Sequence, residues 1–101
     1  MAESPIILSV VLEAAPGREQ ELSSLLGSLI APTRAEAGCL GYELNTSSEK
    51  PGVFLFYEKF ADQNALDAHI SSPHFQNFLK QREGNDPIAN TTVTRWSSFS
   101  N

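Results

Sequence analysis

The chain has 101 residues, room for one domain over residues 1–101 with a single core, and a chain of that size buries roughly 60 to 70% of its unfolded surface without disulfides or metals. Hydrophobic residues make up 41% and charged residues 19%, a globular composition that excludes a disordered chain, and no apolar run reaches the ~18 residues of a membrane-spanning helix. Seven lysines and arginines against twelve aspartates and glutamates leave a net charge of −5 with no basic cluster, which argues against nucleic acid as a partner.

The first residues, Met1-Ala2-Glu3-Ser4-Pro5, lack the charged and apolar regions of a signal peptide, so a cytoplasmic location is expected. Residues 6 to 13 are rich in β-branched and aliphatic types and stop at Ala14-Ala15-Pro16-Gly17, which reads as a strand and then a turn. From Arg18 onward Leu22, Leu25, Leu26, Leu29, Ile30, Thr33 and Ala37 recur at spacings of three and four, one buried face of a helix. Glu19 and Glu21 complement the positive end of its dipole, and Gly38 is expected to cap its C-terminus. Pro32 removes a backbone hydrogen bond, at a cost of about 3 kcal/mol in a regular interior, and predicts a kink or break near residues 28 to 32.

Residues 39 to 46 alternate, with Leu40, Tyr42 and Leu44 on one side, and predict a second strand that ends in a turn-rich stretch over residues 47 to 52. The single cysteine, Cys39, reads as a small buried apolar residue. Residues 53 to 60 form a third strand, with Val53, Leu55 and Tyr57 on one face and Phe54, Phe56 and Phe60 on the other. Asp62 is a good N-cap for a helix carrying Ala65, Leu66, His69 and Ile70. Ser72-Pro73 then restarts a second helix that buries Phe75, Phe78 and Leu79. After a break over residues 83 to 87, residues 90 to 99 have the β propensity of a last strand.

The order is βαββαβ with the second helix split, which predicts a ferredoxin-like α+β fold: a four-stranded antiparallel sheet with its helices on one face. Strands 6–13 and 53–60 are apolar on both faces, while two helices cover only one. A second copy of the chain is the simplest cover for the other, so a homodimer is expected, each subunit keeping a cavity between its own sheet and helices.

Three stretches carry a family likeness over nearly the whole chain: Pro16-Gly17-Arg18-Glu19, Arg34-Ala35-Glu36-Ala37-Gly38-Cys39-Leu40-Gly41-Tyr42, and Tyr57-Glu58-Lys59-Phe60 followed by Ala68-His69-Ile70-Ser71-Ser72-Pro73-His74-Phe75. They resemble the antibiotic-biosynthesis monooxygenase domain. The resemblance implies a dimeric α/β barrel and the oxygenation or oxidation of small aromatic polyols or quinols by dioxygen, often without metal or flavin. Other members of that family degrade haem or process small signalling molecules. The family often has tryptophan where this chain has Phe60. In the haem-degrading branch a histidine ligand stands where this chain has Leu79, and a helix tryptophan aligns with His69, so haem degradation is disfavoured.

Oxidation of a phenol or quinol without a cofactor needs a base that removes a proton, and an apolar cavity that excludes water from the radical pair. His69, at the edge of its helix's core-facing stripe, is one candidate base, or else a core histidine bonded to backbone. His74, at the second helical position after Ser72, is another candidate, or else a capping residue. The two are five apart and divided by Pro73, without the i, i+4 geometry of a helical metal pair, so no metal and no cofactor is expected. Glu58 lies mid-strand among aromatic residues, needs a partner such as His69, His74 or Arg34, and could orient a histidine. Tyr42 could hydrogen-bond a substrate oxygen, Trp96 could wall the ring, and Arg34 could pair with Glu36 or Glu58 or meet an anionic substrate oxygen. Three functions compete: a cofactor-independent monooxygenase or quinol oxidase, a non-catalytic small-molecule-binding or stress-related dimer, and an isomerase or lyase acting on a dicarbonyl or sugar-derived metabolite.

Overall fold

Eight elements follow one another in the computed structural model, which describes residues 4–99. They are β1 (Ile6–Ala14), α1 (Glu19–Gly27), α2 (Ile30–Arg34), β2 (Cys39–Thr46), β3 (Val53–Phe60), α3 (Gln63–Ser71), α4 (Pro73–Arg82) and β4 (Ile88–Trp96). The strands form a four-stranded sheet in the order β2-β3-β1-β4, each neighbouring pair antiparallel, and the fold is the ferredoxin-like α+β arrangement. No helix among the described residues is long and apolar enough to cross a membrane.

Strand β3 obeys the period-two rule along its length. Phe54, Phe56, Glu58 and Phe60 are buried, while Leu55 and Tyr57 between them are exposed. The register with β1 sets Leu12, Val10, Leu8 and Ile6 opposite those four buried positions, so one face of the sheet carries the core. Against it pack Leu22 and Leu26 of α1, Leu29, and Phe78 of α4, with Ile6, Phe60 and Leu66 forming a smaller cluster beside them. Each such side chain, fully buried, contributes about 1.5–3 kcal/mol.

The break near Pro32 is present: α1 ends at Gly27 and α2 begins at Ile30. The freed turn is closed by short-range bonds, Leu29 N–H to the Leu26 carbonyl at 3.1 Å and the Ser28 hydroxyl to the Leu25 carbonyl at 2.6 Å. The C-terminal cap differs from expectation. Helix α2 stops at Arg34 with Ala35 as its cap, and Gly38 is not one of the left-handed glycines, which are Gly17, Gly52 and Gly84. Gly38 is required for a different reason: a Cβ placed there would lie 2.3 Å from the Ala65 Cβ, so only glycine lets the α2–β2 turn close onto α3.

A β-bulge corrects the expected face of β2. Cys39 pairs with Phe60 and Gly41 with Lys59, which leaves Leu40 as the extra residue. Leu40 is therefore 55% exposed rather than aligned with Tyr42 and Leu44, and Cys39 takes the inward place against both core clusters. Strand β4 starts at Ile88 and ends at Trp96, leaving Phe99 beyond it and fully exposed. Ile70 and Leu79, expected in the core, lie half-exposed instead.

Both caps of the split second helix are in place. Asp62 accepts from the Ala65 N–H at 2.8 Å, and Ser72 accepts from the Phe75 N–H at 3.3 Å while donating to the His69 carbonyl at 2.6 Å. The Ser72 hydroxyl thus ties the end of α3 to the start of α4.

Replacing Gly38 by alanine is expected to destabilise the fold by about 1–3 kcal/mol through overpacking. Adding Ala65→Gly, which alone costs about 1 kcal/mol in a helix, is expected to recover most of that loss. Urea unfolding of the two single variants and the double variant checks this, and strictly additive losses would refute the contact.

Candidate active site

Between the core face of the sheet and the helices lies a cavity of about 290 Å³. Its walls are mostly aliphatic and aromatic, and its few polar side chains include Tyr42 from β2, Glu58 from β3, His69 from α3 and Arg82 from α4. Ile70, Leu79 and Val93, each at least 38% exposed, also line it, and this explains their incomplete burial: they stand where the cavity meets solvent.

His69 is 2% exposed. It lies one helical turn after the buried Leu66, and its ring is enclosed by Phe60 at 4.9 Å, Phe75 at 5.0 Å and Tyr42 at 5.7 Å between centroids. Its Nδ1 lies 2.9 Å from Oε2 of Glu36, and the same oxygen lies 2.6 Å from Nε2 of His74. An ionised carboxylate offers only acceptors, so both ring nitrogens donate to it. Nδ1–H of His69 is then committed to Glu36, and Nε2 makes no hydrogen bond to a described residue.

Glu36 belongs to the turn between α2 and β2, where its N–H donates to the Thr33 carbonyl at 3.0 Å and its carbonyl accepts from Cys39 N–H at 3.1 Å. In the sequence Glu36 stands out only as a possible partner for Arg34 and as a member of the stretch from Arg34 to Tyr42 that carries the family likeness. Its one sequence signal for meeting α3 is an acidic residue two positions before the glycine that permits the close approach.

Glu58, expected to orient a histidine, does not. It is 6% exposed and lines the cavity, and its carboxyl has no hydrogen-bond partner among the described residues. Burial, and secondarily the charge of Glu36, pushes its carboxyl up to about 7. Burial likewise raises the phenol of Tyr42 well above its ordinary value, with the Glu58 charge adding to the effect, so Tyr42 stays a neutral donor. Burial also raises the Cys39 thiol, which suits a packing residue rather than a nucleophile.

Three other expectations change in the folded chain. Trp96 pairs with Ile7 on the face of the sheet away from the helices, is 54% exposed, and donates to the Ser9 hydroxyl at 2.7 Å, so it does not wall the cavity. Arg34 forms no ion pair with Glu36 or Glu58; its Nε donates to the Tyr42 carbonyl at 3.0 Å and fastens α2 to β2. His74 lies outside the cavity lining, where it meets Glu36 at 2.6 Å and the His69 ring at 6.1 Å between centroids. The cation at the cavity is Arg82, which the sequence reading missed. It sits over the Phe78 ring at 5.6 Å and pairs with Asp86 at 2.9 Å.

The profile of the family described as antibiotic biosynthesis monooxygenase matches residues 5–81, a span that contains Glu36, Tyr42, Glu58, His69 and His74. The uncharacterized protein sll1783 of Synechocystis is 30% identical over 80 residues, 79% of this chain and 54% of its own length, so the chain spans about half of that relative. A Mycobacterium tuberculosis protein named "Putative monooxygenase Rv0793" is 36% identical over 78 residues, 77% of this chain and 76% of its own. Its solved structure matches with a TM-score of 0.85 at 31% identity, covering 97% of this chain and 98% of that one. The crystal structure of PA3566 from Pseudomonas aeruginosa matches with a TM-score of 0.92 at 31% identity, covering 99% of both chains. With the profile running from β1 into α4 and the fold shared along the chain, this protein belongs to the antibiotic biosynthesis monooxygenase family.

Proposed function

We propose that the protein is a cofactor-independent monooxygenase or quinol oxidase acting on small aromatic polyols, with His69 as its base. The observation that carries this reading is a buried imidazole whose Nδ1 is held by Glu36 at 2.9 Å and whose ring lines an apolar cavity beside Tyr42 and Glu58. A base oriented by a carboxylate on its far nitrogen is the arrangement that general-base catalysis needs.

Nε2 of His69 takes the phenolic proton, and the resulting anion passes one electron to dioxygen. The radical pair combines at a ring carbon to give a peroxide. Proton return from the imidazolium, followed by loss of water together with the hydrogen of that carbon, leaves a quinone. One oxygen atom of O₂ ends in the product and the other in water. When the substrate is already a hydroquinone, two electrons and two protons passed to O₂ give the quinone and hydrogen peroxide instead. The electrons come from the substrate anion, so the chemistry needs no flavin or metal, and the apolar walls keep water from the radical pair.

Glu58, neutral below about pH 7, and Tyr42 are the donors placed to hold substrate oxygens. Glu36 and His74 act through His69 and are positioning residues. The cavity volume, about 290 Å³, suits a single or fused pair of rings. On the outer face of the sheet Leu55, Tyr57 and Trp96 are each more than one-third exposed and no helix covers them, which supports a homodimer closed through that face.

Metal-free and flavin-free protein is expected to consume oxygen with one or more members of a panel of hydroquinones, catechols and polyphenols. His69→Ala is expected to lower kcat by about 10²- to 10⁴-fold. Absence of uptake on every substrate would overturn the reading, and turnover of a dicarbonyl under strict anaerobiosis would replace it with an isomerase.

A second expectation concerns Glu58 and stability. Its folded-state value of about 7 lies above the ordinary 4.5, so between those limits the native state holds a proton that the unfolded chain has released. The contribution is complete below the ordinary value and is lost as pH rises through about 7. Glu58→Gln is therefore expected to gain stability relative to the parent as pH rises across that window, read as unfolding midpoints at each pH. A constant difference would show that Glu58 does not hold its proton.

Sedimentation should give a dimer for the parent chain and a monomer for Leu55→Lys. A monomeric parent would refute the proposed interface.

A further inference from the structure

Behind His69, on the side of Glu36, three side chains from three separate elements converge. Glu36 comes from the turn after α2, His69 from the last turn of α3, and His74 from the first turn of α4. Their candidate ligand atoms all lie within 4.8 Å of one another. Two imidazoles and a carboxylate are the donor set of three-ligand transition-ion sites that keep a fourth position open.

Two observations beyond proximity point to a cation. Oε1 of Glu36 is buried and accepts no hydrogen bond, although an unsatisfied carboxylate oxygen is costly and uncommon in a protein interior. In addition, both imidazoles converge on the one remaining oxygen, Oε2, at 2.9 and 2.6 Å. Those separations are hydrogen-bond lengths, shorter than the roughly 3.4 Å between neighbouring ligands of a tetrahedral ion with bonds of about 2.0–2.2 Å, so the three side chains would part slightly to admit an ion. The pieces also differ usefully in freedom: the His69 side chain is 3% exposed and fixed by its aromatic neighbours, whereas that of His74 is 20% exposed and free to close the set from the solvent side.

We propose that Glu36, His69 and His74 form a binding site for a divalent first-row transition ion, with zinc the best match to the donor set, entered from the His74 side and sharing only the His69 ring with the substrate cavity. The site has a consequence for the cavity. An ion bound at Nδ1 of His69 needs that nitrogen unprotonated, which moves the ring proton to Nε2 and turns the nitrogen left to the cavity from an acceptor into a donor. Ion binding therefore switches off the base, a consequence that rests on the reading of His69 given under the proposed function; the binding itself does not.

Co²⁺ is the spectroscopic probe and Zn²⁺ its competitor. Titration of the metal-free full chain is expected to give d–d absorption that saturates at one Co²⁺ per chain and is abolished by one equivalent of Zn²⁺. His74→Ala and Glu36→Gln are each expected to weaken binding at least tenfold, Glu36→Gln keeping the shape of the side chain should His74→Ala fail to fold. Long-range ¹H–¹⁵N spectra of the zinc-loaded protein are expected to show the His69 proton on Nε2. Failure to saturate at one ion per chain, or affinity unchanged in both variants, would overturn the site. Saturable binding that leaves oxygen uptake undiminished would keep the site and overturn the base, so the two readings fail separately.

Discussion

The approach of the α2–β2 turn to helix α3 governs this molecule, because it brings the Glu36 carboxylate to His69 across a sequence separation of 33. The approach exists only because Gly38 presents no Cβ to Ala65. Without it the turn would stand off the helix, and His69 would be a buried imidazole with nothing to fix its tautomer. The Ser72 hydroxyl adds the second half of the constraint: by capping α4 while bonding to the His69 carbonyl, it sets His74 on the same oxygen of Glu36.

Two carboxylates near one cavity thereby stand in different surroundings. Glu36 receives two N–H donors and carries the charge that orients the histidine. Glu58, buried and without a donor among the described residues, is pushed toward its neutral form, partly by the charge on Glu36. A proton held on Glu58 makes it a hydrogen-bond donor beside a carboxylate that accepts from two imidazoles. The cavity itself then contains aromatic and aliphatic walls and polar groups that are largely uncharged, with the formal charges of Glu36 and Arg82 at its back and at its edge.

The sheet separates the cavity from an uncovered apolar face. Alternation along β3 sends Phe54, Phe56, Glu58 and Phe60 toward the helices, and Leu55 and Tyr57 to the other side. Trp96 on β4 joins that second face through its pairing with Ile7. One strand thus serves the cavity and an uncovered apolar surface at once, which is why it is apolar on both faces.

By itself the sequence determined the element order, the sheet class, the break at Pro32 and the caps at Asp62 and Ser72, because each depends on periodicity or on contacts within a few residues. Of the six side chains it named for a site, His69, Glu58 and Tyr42 line the cavity, since the side a residue faces follows from its place in a strand or a helical stripe, whereas His74, Trp96 and Arg34 do not. Tertiary structure alone decided which carboxylate holds the histidine, that Trp96 faces away from the cavity, that Arg34 binds a carbonyl while Arg82 reaches the cavity, and that Leu40 is bulged outward. These depend on strand register and on the meeting of distant segments. A spacing of 33 residues encodes no contact until the sheet and helices have closed around it.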